Sequence, residues 1–202
     1  MALTPLAGTT LPAAGRLDAL VDDVWARIGR GLDGTWPPWG LPTLATMAAE
    51  GPRARVLALR GANAASRAFT FHADARSDKV RELGADPRVS LVFWDSRDGI
   101  EARFCGSAQL HRGDAVAYAA WQKVSPLRQR ASQTTHAPGH TLAEARRFDA
   151  LPVGEDAEAA SNFAVIDVVV ARLDWLWVGA DDMRRALFNW SGTSWAGAWT
   201  VP

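Results

Sequence analysis

The chain of 202 residues has a single cysteine, Cys105. No intrachain disulfide can form from it, and no multi-cysteine metal site. Charge of either sign is not in excess: 22 basic residues face 22 acidic ones. That excludes the broad basic footprint of a nucleic-acid binder or a polybasic membrane contact, so any positive site must be local. No apolar run approaches the roughly 18 residues that a membrane-spanning helix needs. The opening MALTPLAGTTLPAAGR lacks a basic n-region and a long apolar core, so it does not read as a secretory signal. It reads as a loose arm over residues 1–15, and the cytoplasm is the default location. No G-x-S-x-G elbow occurs. A Rossmann or P-loop nucleotide site is not supported. The histidines, at 72, 111, 136 and 140, form no helical H-x-x-x-H pair, so no metal site is expected. His136 and His140 read as exposed loop residues.

Tyrosine is also scarce, with one residue against ten tryptophans. Large aromatics dominate cores and interfaces, so packing is the first reading of that excess. A planar ligand resting on some of them is the second.

Apolar residues Leu17, Leu20, Val21, Val24, Trp25 and Ile28 recur at helical spacing, which predicts a helix over 17–30 ended by Gly31 and Gly34. TWPPWG (35–40) reads as a rigid aromatic loop. Strands are expected at 41–48 and 55–60, joined through a Gly-Pro turn in EGPRA, and at 68–73. A short helix over 77–85 follows, then a strand at 88–94 and its hairpin partner at 100–111. Residues 113–124 and 141–151 read as helical, and 125–140 as a polar loop. Strands at 163–180, 184–190 and 194–201 close the chain. Seven or eight strands without β-α-β alternation predict an antiparallel sheet closed into a barrel, with helices packed outside.

The stretch FTFHADARSDKV (69–80) is the strongest local signal. A helix start ordinarily favours acids, yet Arg76, Ser77 and Lys79 gather there. Backbone N–H groups at a helix N-terminus with Arg and Lys beside them make an anion pocket. The alternative is a solvated turn neutralised by Asp74 and Asp78. Arg55 and Arg60, five apart on one strand, should point to opposite faces; one of them could converge on Arg76 and Lys79.

Taken together, RVLALR, FTFHADARSDKVRELGADPRVSLVFWD and IEARFCGSAQL resemble the pyridoxamine 5'-phosphate oxidase-like flavoproteins. The resemblance runs from about residue 16 to the C-terminus, with its core over 53–110. It implies one mainly β (α+β) domain over 16–202, an antiparallel, Greek-key-like split β-barrel with flanking helices. It also implies a homodimer that holds FMN at the subunit interface and acts on an unidentified small molecule through flavin N5. Carried over, Arg55 and Lys79 would hold the FMN phosphate, with Arg76 and Ser77 assisting. Val56, Leu57 and Arg60 would lie along the ring or ribityl part, and His72 and Ala73 would line it from the next strand. Glu101 falls where the oxidase places a glutamine. Trp175 or Trp177 would approach the flavin with Arg185, for which Arg184 is a rival. Two departures stand out. Asp181 and Met183 occupy the positions of the oxidases' substrate-binding arginine-x-histidine pair. The substrate-phosphate group is echoed only by Tyr118, Arg128 or Arg130, and Ser132. A non-catalytic flavin carrier and a true pyridoxamine 5'-phosphate oxidase are therefore the alternatives to an oxidoreductase of other specificity.

Overall fold

The structure is a computed structural model that describes residues 16–34, 37–148, 151–154 and 156–202. The expected arm, 1–15, lies outside the described residues. Helix α1, Leu17–Leu32, buries Leu20, Val24 and Ile28 completely along one stripe. It ends against a short 3-10 turn, Pro37–Gly40. A Cβ on Gly31 would sit 2.3 Å from the Trp39 carbonyl carbon, so only glycine permits that approach. Gly29, Gly31 and Gly34 happen to spell G-x-G-x-x-G, but they close a helix rather than follow a strand, so they are no dinucleotide fingerprint. The turn's Trp39 is fully buried and donates its indole N–H to Asp95 at 2.8 Å.

Among the described residues nine strands form one antiparallel sheet: β1 (Thr43–Ala48), β2 (Gly51–Val56), β3 (Leu59–Asn63), β4 (Ala68–Asp74), β5 (Arg88–Asp95), β6 (Ile100–His111), β7 (Phe163–Val178), β8 (Met183–Trp190) and β9 (Trp195–Thr200). The order is β2-β1-β5-β6-β7-β4-β3, with β8 paired to β7 and β9 to β8. Strands β5 to β7 are consecutive neighbours and β4 returns beside β7, which is a Greek key. β7 is the pivot. Its first half pairs β4 and its second half β8. The strand pairing does not close into a ring, so the barrel is split: β2 and β3 end the main path, and β9 ends the β8 branch.

Register decides which side chains share a face. Arg55, Leu44, Leu91 and Phe104 lie in one row across β2, β1, β5 and β6, and the last three are fully buried. This is the inward face, filled by Trp25, Phe69, Phe93 and Phe104; Trp25 stacks on Phe69 at 4.9 Å. The next row, Val56, Thr43, Val92, Arg103 and Asp174, points outward.

Several expectations are corrected. The Gly-Pro pair opens β2 rather than making the turn, which falls on Ala49 and Glu50. The expected strand over 55–60 is two strands, since β2 stops at Val56 and β3 starts at Leu59. A bulge between Leu59 and Gly61 then re-aims Arg60, so strict alternation from Arg55 does not apply. Helix α2 spans Asp78–Ala85 and α3 spans Ala115–Trp121. Part of the expected loop is a helix, α4, Pro126–Gln133, started by Ser125 with proline in its first turn. No α-helix forms among the described residues of 141–151, where every side chain from 141 to 148 is exposed and gains nothing by packing. A helix not expected, α5, spans Asp156–Ser161. No helix among the described residues is long and apolar enough to cross a membrane.

Candidate functional site

The β4–α2 corner brings the expected anion residues together. Ser77 ends the extended segment and starts α2, with its side chain buried. Its hydroxyl donates to the Asp74 carbonyl at 2.6 Å and accepts from Lys79 Nζ at 3.1 Å. Lys79 has no carboxylate within ion-pair distance among the described residues. Burial lowers the Lys79 ammonium from its ordinary value and Arg55 lowers it further, while Asp74, Glu82 and Asp78 offset part of the fall. An anion between Arg55 and Lys79 would relieve that strain.

Arg55 reaches this corner from β2. It donates to Glu82 at 2.9 Å and to the Thr46 hydroxyl, and Thr46 donates to the same Glu82 oxygen at 2.6 Å. Glu82 and Thr46 are buried, so the triad fixes the guanidinium between β1 and α2. Sequence reasoning missed both; the only signal was an acid three residues beyond Lys79 on one helix. Arg76 is placed differently from the expectation. Its guanidinium is taken up by Asp74 at 2.7 and 3.0 Å and by the Thr134 carbonyl at 2.9 Å. Asp74 therefore neutralises Arg76, and Asp78 pairs with Arg53 and Arg81.

Beside the corner, a cavity of about 310 Å³ lies between β4 and α4, lined by Arg60, His72, Ala73, Leu127, Arg128 and Ser132 among others. A second, of about 690 Å³, shares Arg60, His72 and Arg128 and continues along α3 past Ala119 and Lys123. Among the described residues the Arg60 and Arg128 side chains have no hydrogen-bonding or ionic partner. Arg60 is held below its ordinary value by burial and by Arg128. His72 is pushed down to about 4 by burial first, then by Arg60 and Arg128, against a smaller opposite effect of Asp167. Its ring meets Phe163 edge-on at 4.9 Å. The cleft is thus a positive, half-dry slot with a neutral imidazole in its wall. Tyr118 and Arg130 do not line either cavity.

The remaining expected residues lie elsewhere. Glu101 and Arg185 share an outward row through Leu176, and an ion network joins them to Arg103 and Asp174: Glu101 to Arg103 at 3.1 Å, and Arg103 and Arg185 each to Asp174 at 2.7 Å. Asp174 is held below its ordinary value, chiefly by Arg185. Arg184 pairs with Asp182 at the strand end. The tryptophan expectation is corrected: Trp175 is fully buried in the core and offers no face to a ligand. Trp177 is buried too, against Gly179, and its indole N–H has no partner among the described residues. Val56 is exposed on the outward face, and Leu57 donates its N–H to Pro42 at 2.9 Å. No group of three or more metal-ligating side chains is found among the described residues.

Residues 34–112 match the family described as pyridoxamine 5'-phosphate oxidase, FMN-binding domain. A pyridoxine/pyridoxamine 5'-phosphate oxidase of Cyanothece sp. is 38% identical over 78 residues, 38% of this chain and 36% of that one. One from Pseudomonas paraeruginosa is 30% identical over 111 residues, 54% and 49% of the two chains. The matches span between about a third and a half of these relatives' length. Among solved structures, a pyridoxamine 5'-phosphate oxidase-related, FMN binding protein from Nostoc punctiforme superposes with a TM-score of 0.72, at 18% identity and over 100% of both chains. PhzG from Burkholderia lata, solved with tetrahydrophenazine-1-carboxylic acid, gives 0.74 at 16% identity, over 98% of this chain and 100% of that one. At these identities the likeness is one of fold.

Proposed function

We propose that the chain, whose residues 34–112 match the FMN-binding domain of the pyridoxamine 5'-phosphate oxidase family, is an FMN-dependent oxidoreductase of that split-barrel class acting on a small anionic molecule. The observation that carries the cofactor end is Lys79: a half-buried ammonium at a helix start, without a carboxylate at ion-pair distance among the described residues and repelled by Arg55. A phosphate suits that corner. In this reading Arg55, Ser77 and Lys79 hold the phosphate, and Leu57, Arg60, His72 and Ala73 line the path away from it. Flavin, when bound, supplies the redox chemistry at N5. The chain's own residues do the rest. Arg60 and Arg128 attract and orient an anionic substrate, and the apolar lining of Leu127 and Phe163 keeps water from part of the slot.

The same reading requires two copies of the chain. Arg55 belongs to an inward row, whereas Glu101 and Arg185 stand on the outward face. One flavin cannot touch both groups of a single sheet, but it can touch the corner of one copy and the outward network of another. The outward face also exposes Val56 (62%), Trp94 (48%) and Met47 (43%), more apolar surface than a solvated sheet favours. A homodimer with FMN at its interface accounts for both.

Asp181 and Met183 favour a second reading, a flavin carrier without turnover, because neither can replace an arginine-histidine pair at the substrate. The spectrum of the purified protein with added FMN tests cofactor binding; a protein that takes up none overturns the proposal. Reduction of the bound flavin by NADH or NADPH and reoxidation by an acceptor supports the oxidoreductase. Inert bound flavin supports the carrier.

A further inference from the structure

Arg76 carries an inference of its own, which rests on the cofactor reading above for its functional meaning. We propose that Arg76 is a positioning residue that straps the α4 wall of the cleft to the phosphate corner, rather than a ligand of the phosphate. Three observations converge on it. Its guanidinium is held on one side by both oxygens of Asp74, whose own side chain is nearly buried. On the other side it donates to the Thr134 carbonyl, 58 residues further along the chain and just past the end of α4. Asp74 in turn accepts the Ser77 hydroxyl on its carbonyl, and Ser77 accepts Lys79. The bonds therefore run without a break from Lys79 through Ser77, Asp74 and Arg76 to Thr134.

Helix α4 depends on such an anchor. It is polar, its sole buried side chain is Ser132, and it carries Leu127 and Arg128 into the cleft. Little apolar burial holds it down, so its placement rests on hydrogen bonds. Asn162 supplies another, donating to the Ser132 carbonyl at 3.0 Å, and the bridge between Thr134 and Val153 a third. Asn162 also accepts the Ala75 N–H at 2.7 Å and so ties the strand end to the helix, but among the described residues Arg76 is the side chain that bonds directly from the corner to the residue ending α4. An anion that orders Lys79 and Ser77 then also stiffens the wall bearing Arg128, through a planar guanidinium that leaves little slack.

The test compares Arg76→Ala, Arg76→Lys and Lys79→Ala in the full chain. FMN affinity is read by quenching of flavin fluorescence, and order by amide hydrogen exchange. Arg76→Ala should keep FMN affinity within about threefold, whereas Lys79→Ala should lose at least about tenfold. In the parent chain, FMN should slow exchange over 126–134; in Arg76→Ala that segment should exchange at least about tenfold faster, and FMN should no longer slow it. Arg76→Lys should recover part of the protection. Loss of FMN affinity in Arg76→Ala with unchanged exchange over 126–134 would make Arg76 a ligand and overturn the strap. Faster exchange throughout β5 and β6 as well would make its role general stability and overturn it too. If the parent chain binds no FMN, the cofactor reading falls, and exchange over 126–134 without flavin still decides whether Arg76 anchors α4.

Discussion

Lys79 leans on Ser77, its ammonium 3.1 Å from the hydroxyl of the residue that starts α2. That contact satisfies one of three N–H donors and none of the charge. A half-buried cation with no carboxylate at ion-pair distance among the described residues weakens the flavin-free protein, because Asp74, Glu82 and Asp78 repay only part of the desolvation. Lys79→Met should therefore leave the melting temperature of the flavin-free protein unchanged or raise it, while FMN affinity falls at least about tenfold, or about 1.4 kcal/mol. Calorimetry and flavin titration on the same variant check both. A lower melting temperature with intact affinity would show that Lys79 is structural.

Glu82 should behave in the opposite way. Its carboxylate accepts from Arg55 and Thr46 inside the barrel end. Glu82→Ala removes the acceptor and leaves Arg55 beside Lys79 without compensation, so stability should fall by about 1.5–3 kcal/mol, the range for hydrogen bonds to charged groups. The urea midpoint measures this. Added FMN should restore more stability to Glu82→Ala than to the parent, since the phosphate would supply the missing negative charge.

His72 makes the cleft sensitive to pH. Its folded value, about 4, lies below the ordinary 6.5. Between those values the unfolded chain binds more protons, so this histidine's contribution to stability is complete above about pH 6.5 and is lost as pH falls toward 4. Burial is the largest cause; the charged groups that add to it are Arg60 on β3 and Arg128 on α4, with Asp167 on β7 opposing. His72→Gln should flatten the slope of stability against pH over that range. Inorganic phosphate held between the two arginines should raise the value seen in a histidine NMR titration; no movement with saturating phosphate would mean that the cleft does not take anions.

Much of this fold is legible because hydrophobic alternation is strong where strands are half-buried. RVSLVFW shows it plainly, and β5 runs over Arg88–Asp95 as the pattern predicts. The corner at Ser77 is legible because its residues are adjacent in the chain. What is not legible depends on distant partners. Arg76 looks like an anion ligand until Thr134 arrives from 58 positions away. Trp175 looks available to a flavin until β6 and β8 pair on either side of it and enclose it in the core. Helix α4 lacks an apolar stripe, so only its Ser-Pro start could announce it. Arg60 could not be placed because the bulge before Gly61 resets the alternation.

Gly106 is the β-sheet position least tolerant of a side chain. A Cβ there would lie 2.2 Å from the Val169 carbonyl oxygen, at the bulge where β6 shifts register against β7. The obstacle is backbone, which cannot swing aside as a side-chain tip can. Gly106→Ala should destabilise the chain by at least about 1–3 kcal/mol, the cost of overpacking. Denaturant unfolding checks it, and an unchanged midpoint would mean that the bulge relaxes freely.

The outward face gives the prediction with the widest reach. Val56, Trp94 and Met47 are exposed there, and Trp94 pairs directly with Glu101 of the Glu101–Arg185 network. Charged side chains at the centre of an apolar interface cost several kcal/mol when desolvated without a partner. Val56→Asp combined with Trp94→Glu should convert a dimer into monomers in sedimentation. Arg55 and Lys79 remain in place, yet flavin affinity should fall with the dimer, because Glu101 and Arg185 would no longer face the corner of a second copy. Flavin binding that survives in a monomer would confine the whole site to one chain, and the outward network would then have no part in it.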